Sequence, residues 1–140
     1  MVLLDPKDPK HVHARDRLRT DLIAWLTTVG PAGQPQSTPV WFWLDGEAFL
    51  LYSRPGRPKL RNIAANPLVS LHLEGDGVGG DNVIVEGTAA VTPQAPSANE
   101  VPEYLEKYRA RIDGYRWTPE SFAADYSVAF RIAPMRIRVW

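Results

Sequence analysis

The chain has 140 residues, 44% of them hydrophobic, which is enough for one globular domain and excludes a disordered polypeptide. It contains no cysteine, so disulfides and thiolate metal sites are excluded, and with no disulfide to form we expect a cytoplasmic protein. Sixteen basic and sixteen acidic residues cancel, and no stretch approaches the length of a membrane span, so neither nucleic acid nor a membrane is an expected partner.

The N-terminal region combines a polar arm with a short helix. Residues 1–12 are rich in proline, lysine and aspartate, and we interpret them as a flexible N-terminal arm that precedes a single domain over residues 13–140. From Ala14 onward, Leu18 and Leu22 recur at every fourth position, which is typical of a short amphipathic helix.

Three strands are predicted next. Residues 24–29 are rich in β-branched and aromatic residues, and the turn formers of residues 30–35 reverse the chain into a second strand over residues 37–44. Asp45-Gly46 is a strong hairpin pattern, so we expect a third strand over residues 48–53 to pair with the second.

A short helix over residues 59–65 separates these strands from two more. It ends before Asn66-Pro67, because a residue that precedes proline is disfavoured in the helical region. Residues 68–73 alternate as a half-buried strand does, and residues 82–91 form another strand, in which Gly87 marks a bulge or sharp bend.

The C-terminal part contains two helices and a final strand. Asn99 is the expected cap of a helix whose apolar stripe covers residues 101–112 and ends at Gly114, and Thr118-Pro119 begins a second helix. Residues 128–139 form a strand pair or one bent strand. Because most strands are linked as hairpins, the order α-β-β-β-α-β-β-α-α-β predicts an antiparallel sheet that closes into a barrel.

The segment from Ser53 to Asn62 is strongly basic, and the next acidic residue along the chain is Glu74. Its four cations are Arg54, Arg57, Lys59 and Arg61. They lie where a strand end meets a helix N-terminus, a place where free N–H groups and the helix dipole favour an anion such as phosphate. A solvated charged turn has the same composition, and composition alone favours the turn.

Other motifs give no catalytic or metal site. Residues 75–80 match G-x-G-x-x-G, but a strand follows them where dinucleotide binding requires a helix, so we interpret them as a hairpin loop. His11, His13 and His72 have no metal-ligand spacing, and we expect no metal. No motif for a nucleophile is present, so the catalytic residues are unknown at this level.

Aromatic residues are concentrated in Trp41-Phe42-Trp43, which places large rings on both faces of one strand. One face of this strand must point away from the core of the subunit. That face is ordinary surface, or it forms a subunit interface or a wall for a planar ring system. Tyr104 and Tyr108 lie on the apolar stripe of a helix, and we interpret them as core residues.

A series of short motifs is recognisable between about Leu18 and Val91. They are Trp25-Leu26-Thr27-Thr28-Val29, Gly33-x-Pro35, Pro39-Val40-Trp41-Phe42, Asp45-Gly46, Tyr52-Ser53-Arg54, Lys59-x-x-Asn62-x-x-x-Asn66-Pro67 and Val85-Glu86-Gly87-Thr88-Ala89. Their order and spacing resemble the pyridoxamine 5′-phosphate oxidase-like superfamily, and more narrowly its small actinobacterial branch of deazaflavin (coenzyme F420)-dependent reductases.

The resemblance implies a mainly β, α+β fold, an antiparallel split β-barrel of the FMN-binding type with a few short helices. It also implies a homodimer with the cofactor at the subunit interface. The cofactor would be coenzyme F420, with FMN as the alternative, and the reaction would be hydride transfer to a small organic acceptor. The alternatives are an FMN-dependent reductase or oxidase and a non-catalytic protein that binds a cofactor or haem.

The resemblance assigns cofactor-binding residues by position. The phosphate would be held by Arg57, Lys59, Arg54 and Arg61 with help from Ser53 and Asn62, and the ring system would lie along Thr38, Pro39, Val40 and Trp41. The sequence lacks an arginine–histidine substrate motif near its C-terminal Trp140. We therefore do not expect oxidation of pyridoxamine phosphate.

Overall fold

The computed structural model describes residues 3–140, and this part of the chain contains seven strands and four α-helices. The strands are β1 (Ala24–Val29), β2 (Pro35–Val40), β3 (Trp43–Asp45), β4 (Ala48–Ser53), β5 (Leu68–Leu73), β6 (Val83–Val91) and β7 (Val128–Val139). The helices are α1 (Pro9–Thr20), α2 (Pro58–Ala65), α3 (Pro102–Gly114) and α4 (Pro119–Asp125).

The seven strands form one antiparallel sheet in the order β2-β1-β5-β6-β7-β4-β3. β2 and β3 are the two edges of this sheet, yet only Trp41 and Phe42 separate them along the chain. Because so short a link keeps the two edges close together, the sheet must curl into a half-closed barrel. The predicted fold class, a mainly β split barrel with a few helices, is confirmed.

Closure of the sheet depends on a bulge in β6 and a long bent β7. The pairing of β6 with β7 shifts register between Glu86 and Gly87, which confirms the predicted bulge. A Cβ atom on Gly87 would collide with the carbonyl oxygen of Ala133, so only glycine fits here. β7 is a single strand that pairs with β4 in its first half and with β6 along most of its length. Of the two possibilities for residues 128–139, the bent strand is the one observed.

The core consists of two hydrophobic clusters, one on each side of β4. Phe49 and Leu51 point into the barrel interior, whereas Leu50 and Tyr52 contact a second cluster beneath α3 and α4. All four side chains are buried, because successive residues of a strand point to opposite faces and both faces of β4 are covered. The second cluster is rich in aromatic residues and forms the floor of the site described below.

The N-terminal region is more ordered than its composition predicts. α1 begins at Pro9, where Asp8 caps the helix by accepting a hydrogen bond from the backbone N–H of Lys10. Residues 9–12, which we assigned to the flexible arm, therefore belong to the helix, and Leu4 is only 7% exposed within the barrel core. Residues 1 and 2 of the predicted arm lie outside the described residues.

The predicted strand over residues 37–44 is observed as two strands, β2 and β3, and the other remaining elements agree with the predictions apart from their boundaries. Asn99 does not cap α3; it lies in a short 3-10 turn, Ala98–Glu100, and the helix begins after Val101. The Asp45-Gly46 hairpin joins β3 to β4 as predicted, with Gly46 at a positive φ of 64°. None of the helices within residues 3–140 is both long and apolar enough to cross a membrane.

Candidate functional site: a basic helix start beside an aromatic cavity

The basic segment lies at the start of α2, as the sequence predicts. Arg57 is the N-cap residue, its side chain is exposed, and no side chain caps this end of the helix. Lys59 follows in the first turn and is half-buried; burial, and then the positive charge of Arg57, lower the pKa of Lys59. An anion bound here would offset the repulsion between the two cations and would accept hydrogen bonds from the free N–H groups of the helix start.

The outer cations of the segment brace the loop. Arg61 donates a hydrogen bond of 2.8 Å to the carbonyl oxygen of Gly56. The guanidinium of Arg54 lies over the ring of Tyr126, 5.1 Å from its centroid, and its Nε has no hydrogen-bond partner within residues 3–140. The buried hydroxyl of Ser53 donates to the carbonyl oxygen of Arg54.

Asn62 connects α2 to the sheet. Its side chain is 5% exposed, and its Nδ2 donates to Thr28 Oγ1 at 2.9 Å and to Gln36 Oε1 at 2.8 Å. These bonds tie α2 to β1 and to the segment of β2 beside it. Both amide hydrogens are thus used inside the protein, so Asn62 holds the helix in place, and its direct contact with a phosphate stays a prediction.

A cavity of about 240 Å³ opens beside this helix start. Seven aromatic residues, two cations and three aliphatic residues line it, with no acidic residue: Trp41, Tyr52, Tyr104, Tyr115, Trp117, Phe122, Tyr126, Lys59, Arg111, Ile23, Pro39 and Val40. Four of the predicted residues, Pro39, Val40, Trp41 and Lys59, therefore meet at one cavity. Thr38 lies next to it on β2, opposite Leu26 of β1.

The position of Trp41 is set by Tyr108 of α3. The two rings stack with centroids 4.6 Å apart and an angle of 7° between their planes. The Tyr108 hydroxyl accepts a hydrogen bond from the backbone N–H of Phe42 and lies 2.7 Å from the carbonyl oxygen of Leu22, to which it donates. The bond from Phe42 takes up a backbone N–H that a continuous strand would use for pairing. The predicted strand over residues 37–44 is accordingly divided into β2 and β3.

Lys107 completes this support. Its Nζ donates to the carbonyl oxygen of Phe42 at 2.9 Å and lies 3.8 Å from the centroid of the Phe42 ring. Burial lowers the pKa of Lys107 to about 7, against an ordinary value of 10.5. Lys107 and Tyr108 together anchor α3 to the break between β2 and β3.

The sequence-based prediction missed most of the aromatic lining. Tyr104 and Tyr108 are buried, as predicted for core residues, but Tyr104 also lines the cavity. Its hydroxyl has no hydrogen-bond partner within residues 3–140, and burial raises its pKa well above 10. Arg111 lies three residues after Tyr108 on the same face of α3 and so also reaches the cavity, and Tyr115 lines the cavity from the C-cap position of the helix.

The remaining sequence motifs lie elsewhere. The glycine-rich residues 75–80 connect β5 to β6, as predicted for a hairpin loop, and Asp76 closes the loop by accepting from the N–H groups of Val78 and Gly80. His13 pairs with Asp81 at 3.1 Å, away from the cavity. No group of three or more potential metal-ligating side chains occurs in the described part of the chain.

Comparison with known proteins agrees with this fold. The family model described as pyridoxamine 5′-phosphate oxidase matches residues 11–140. No curated protein matches the sequence significantly.

Three solved structures illustrate the similarity. An F420 reductase is 26% identical, with a TM-score of 0.65 over 89% of this chain and 94% of its own. A conserved hypothetical protein from Mycobacterium tuberculosis is 22% identical, with a TM-score of 0.75 over 100% and 88%. HutZ, the haem storage protein from Vibrio cholerae, is 16% identical, with a TM-score of 0.63 over 99% and 95%. The chain therefore belongs to the pyridoxamine 5′-phosphate oxidase-like superfamily of split β-barrel proteins.

Proposed function

We propose that the protein is an oxidoreductase that binds coenzyme F420 and uses it to transfer hydride to a small organic acceptor. The observation that carries the proposal is that an aromatic cavity adjoins a basic helix start. Lys59 lines the cavity and also belongs to the first turn of α2. This combination fits a planar ring system that bears a phosphate. The similarity to a protein named F420 reductase supports the choice of cofactor.

The phosphate would be held at the start of α2. No ion pair within residues 3–140 uses Arg57 or Lys59, so neither cation is neutralised by a carboxylate. Arg57 can bind two phosphate oxygens at once, and Lys59 supplies a compact charge beside the ring cavity. Arg54 and Arg61 contribute positive potential, while their contacts shape the loop.

When bound, the reduced deazaflavin supplies the hydride, and the protein supplies orientation and electrostatics. Trp41, held by Tyr108, provides a rigid wall for the ring system. Burial raises the pKa of Tyr52 to about 12 and that of Tyr104 well above its ordinary value of 10, so these two tyrosines are poor proton donors. We assign the proton that accompanies the hydride to water.

FMN is the second candidate cofactor, because it also combines a tricyclic ring with a phosphate and the same contacts would serve both. Haem fits less well. None of the residues that line the cavity is a histidine, cysteine or methionine, so a haem iron would find only tyrosine as a ligand there.

The proposal includes a homodimer with the cofactor in the groove between two subunits. β2 is an edge strand whose side chains are exposed apart from Thr38 and Val40. On the outer face of the sheet, Leu68 and Met135 are 53% and 50% exposed and border a shallow depression. A second copy of the chain would cover this edge and this apolar face. We expect a solution mass of twice the 15.7 kDa of one chain, and a monomer at micromolar concentration would contradict this part of the proposal.

Fluorescence titration with F420 and with FMN, at low and high salt, tests the cofactor assignment. We expect F420 to bind more tightly than FMN, and salt to weaken binding because the phosphate contact is electrostatic. Arg57→Ala and Lys59→Ala should each lower the affinity at least about tenfold, the effect of losing a hydrogen bond to a charged group. Arg19→Ala, an exposed arginine of α1, is the matched control. Unchanged affinity in the Arg57→Ala/Lys59→Ala double variant would overturn the proposed phosphate site.

A further inference from the structure

The cavity has a second cation, Arg111, which belongs to a different element from the basic segment. Arg111 lies on α3, on the same helix face as Tyr104 and Tyr108, and its side chain lines the cavity together with Lys59. Within residues 3–140 no carboxylate lies within ion-pair distance of Arg111, and it makes no hydrogen bond to another residue through its side chain. Lys59 and Arg111 thus place positive charge in one cavity from two separate elements.

A series of stacked rings lies on the same side of the cavity as α3 and α4. Trp117 stacks on Tyr115 with centroids 4.6 Å apart, and on Phe122 with centroids 6.0 Å apart, at angles of 20° and 25°. Tyr115 is 56% exposed, so one face of this series is accessible to a ligand. Near-parallel rings of this kind favour a flat aromatic molecule that extends the stack.

Tyr104, which is fully buried, places a polar group directly beneath this surface. It lines the cavity, and its hydroxyl is buried without a hydrogen-bond partner in the described part of the chain. Buried hydroxyl groups in folded proteins nearly always have a partner. A ligand oxygen that reaches the hydroxyl would provide one.

We propose that this cavity binds a planar aromatic carboxylate, with Arg111 pairing with the carboxylate and the Tyr115–Trp117 stack packing against the rings. The inference rests on the proposed function for the role of this ligand, which is the hydride acceptor. The guanidinium fork of arginine matches the two oxygens of a carboxylate, whereas the phosphate of the cofactor is assigned to the start of α2. The carboxylate of this ligand and the phosphate of the cofactor are therefore paired with different cations.

Calorimetric titration of the full chain with 2-naphthoate and with 2-naphthamide tests this assignment. The two probes have the same ring system and differ in charge. We expect the wild-type protein to bind naphthoate roughly tenfold more tightly, as a charge-assisted hydrogen bond implies. Arg111→Gln should lose most of this preference, and Arg109→Gln, an exposed arginine of the same helix outside the cavity lining, should keep it. Equal binding of both probes by the wild type, or an unchanged preference in Arg111→Gln, would overturn the inference.

A cross-test separates this inference from the cofactor assignment. The Arg57→Ala/Lys59→Ala variant should lose affinity for F420 and keep its preference for naphthoate. If the wild type failed to bind F420 and still preferred naphthoate through Arg111, the proposed cofactor would be wrong and the carboxylate site would stand. If F420 bound as expected and the preference did not depend on Arg111, the carboxylate site alone would be wrong.

Discussion

The indole of Trp41 and the phenol of Tyr108 lie parallel, 4.6 Å apart, and join the sheet to α3 at the wall of the cavity. The stack is fixed by the Tyr108 hydroxyl, which bonds to the backbone of Phe42 and Leu22. One side chain thus divides a strand, orients a helix and positions a ring of the candidate site.

Tyr108→Phe tests this relationship. The variant keeps the ring and removes the hydroxyl, which leaves the buried N–H of Phe42 without its partner. We expect the free energy of unfolding to fall by about 1–3 kcal/mol, measured by urea denaturation. Tyr115→Phe is the control, because Tyr115 is exposed and its hydroxyl is not needed by any buried group. A loss of equal size in both variants would contradict the anchoring role.

Lys107 should make stability depend on pH. Its pKa is about 7 in the folded chain and near 10.5 when unfolded, so between these values the unfolded chain binds the proton and the folded chain does not. The free energy of unfolding should therefore rise as the pH increases from 7 towards 10, and below pH 7 the full cost of burying the charge remains. Lys107→Met removes this titration and should have a flatter pH profile than the wild type.

The same urea series at pH 6, 7, 8 and 9 should be run with Lys10→Met, an exposed lysine of α1. Other groups titrate over this range, so the informative quantity is the difference between each variant and the wild type. A Lys107→Met profile that follows the Lys10→Met profile would show that Lys107 titrates as an ordinary exposed lysine.

Asn62 should act as a positioning residue for the basic helix start. Asn62→Ala removes both donors and leaves Thr28 Oγ1 and Gln36 Oε1 without them, at a cost of about 1–3 kcal/mol in stability. A double-mutant cycle with Thr28→Val should give a coupling energy of at least about 0.5 kcal/mol. F420 affinity should fall in Asn62→Ala, because α2 is no longer fixed against β1 and β2. Additive single effects, with F420 affinity unchanged, would contradict this role.

Much of the fold could be predicted, because local patterns decide it. The alternation in β5 and the hairpin at Asp45-Gly46 each depend on residues close in sequence, and the bulge in β6 is marked by Gly87 itself. The break between β2 and β3 could not be predicted, because it depends on Lys107 and Tyr108, more than sixty residues further along the chain. The helical start at Pro9 was missed, because the charged composition of the region outweighed the local cap at Asp8.

The residues of the candidate site also differ in whether they could be predicted from the sequence. Pro39, Val40, Trp41 and Lys59 are recognisable because they lie in short motifs with a fixed order. The residues that α3 and α4 contribute are not recognisable from the sequence. A helical stripe of aromatic residues predicts burial, but it does not distinguish the floor of a cavity from an ordinary core. Arg111 is an example, because its position on α3 indicates a role in the site only once the cavity that it lines is known.

Replacement of tyrosine by phenylalanine should change the free energy of unfolding in opposite directions at positions 52 and 104. The Tyr52 hydroxyl donates to the carbonyl oxygen of Pro96 at 2.7 Å, whereas the Tyr104 hydroxyl is buried with no partner within residues 3–140. Tyr52→Phe should lose about 1 kcal/mol of stability, and Tyr104→Phe should gain about 1 kcal/mol in the cofactor-free protein, because it removes an unsatisfied polar group. Urea denaturation measures both. If Tyr104→Phe were destabilised as much as Tyr52→Phe, the Tyr104 hydroxyl would already be satisfied in solution and would not be free to bind a ligand.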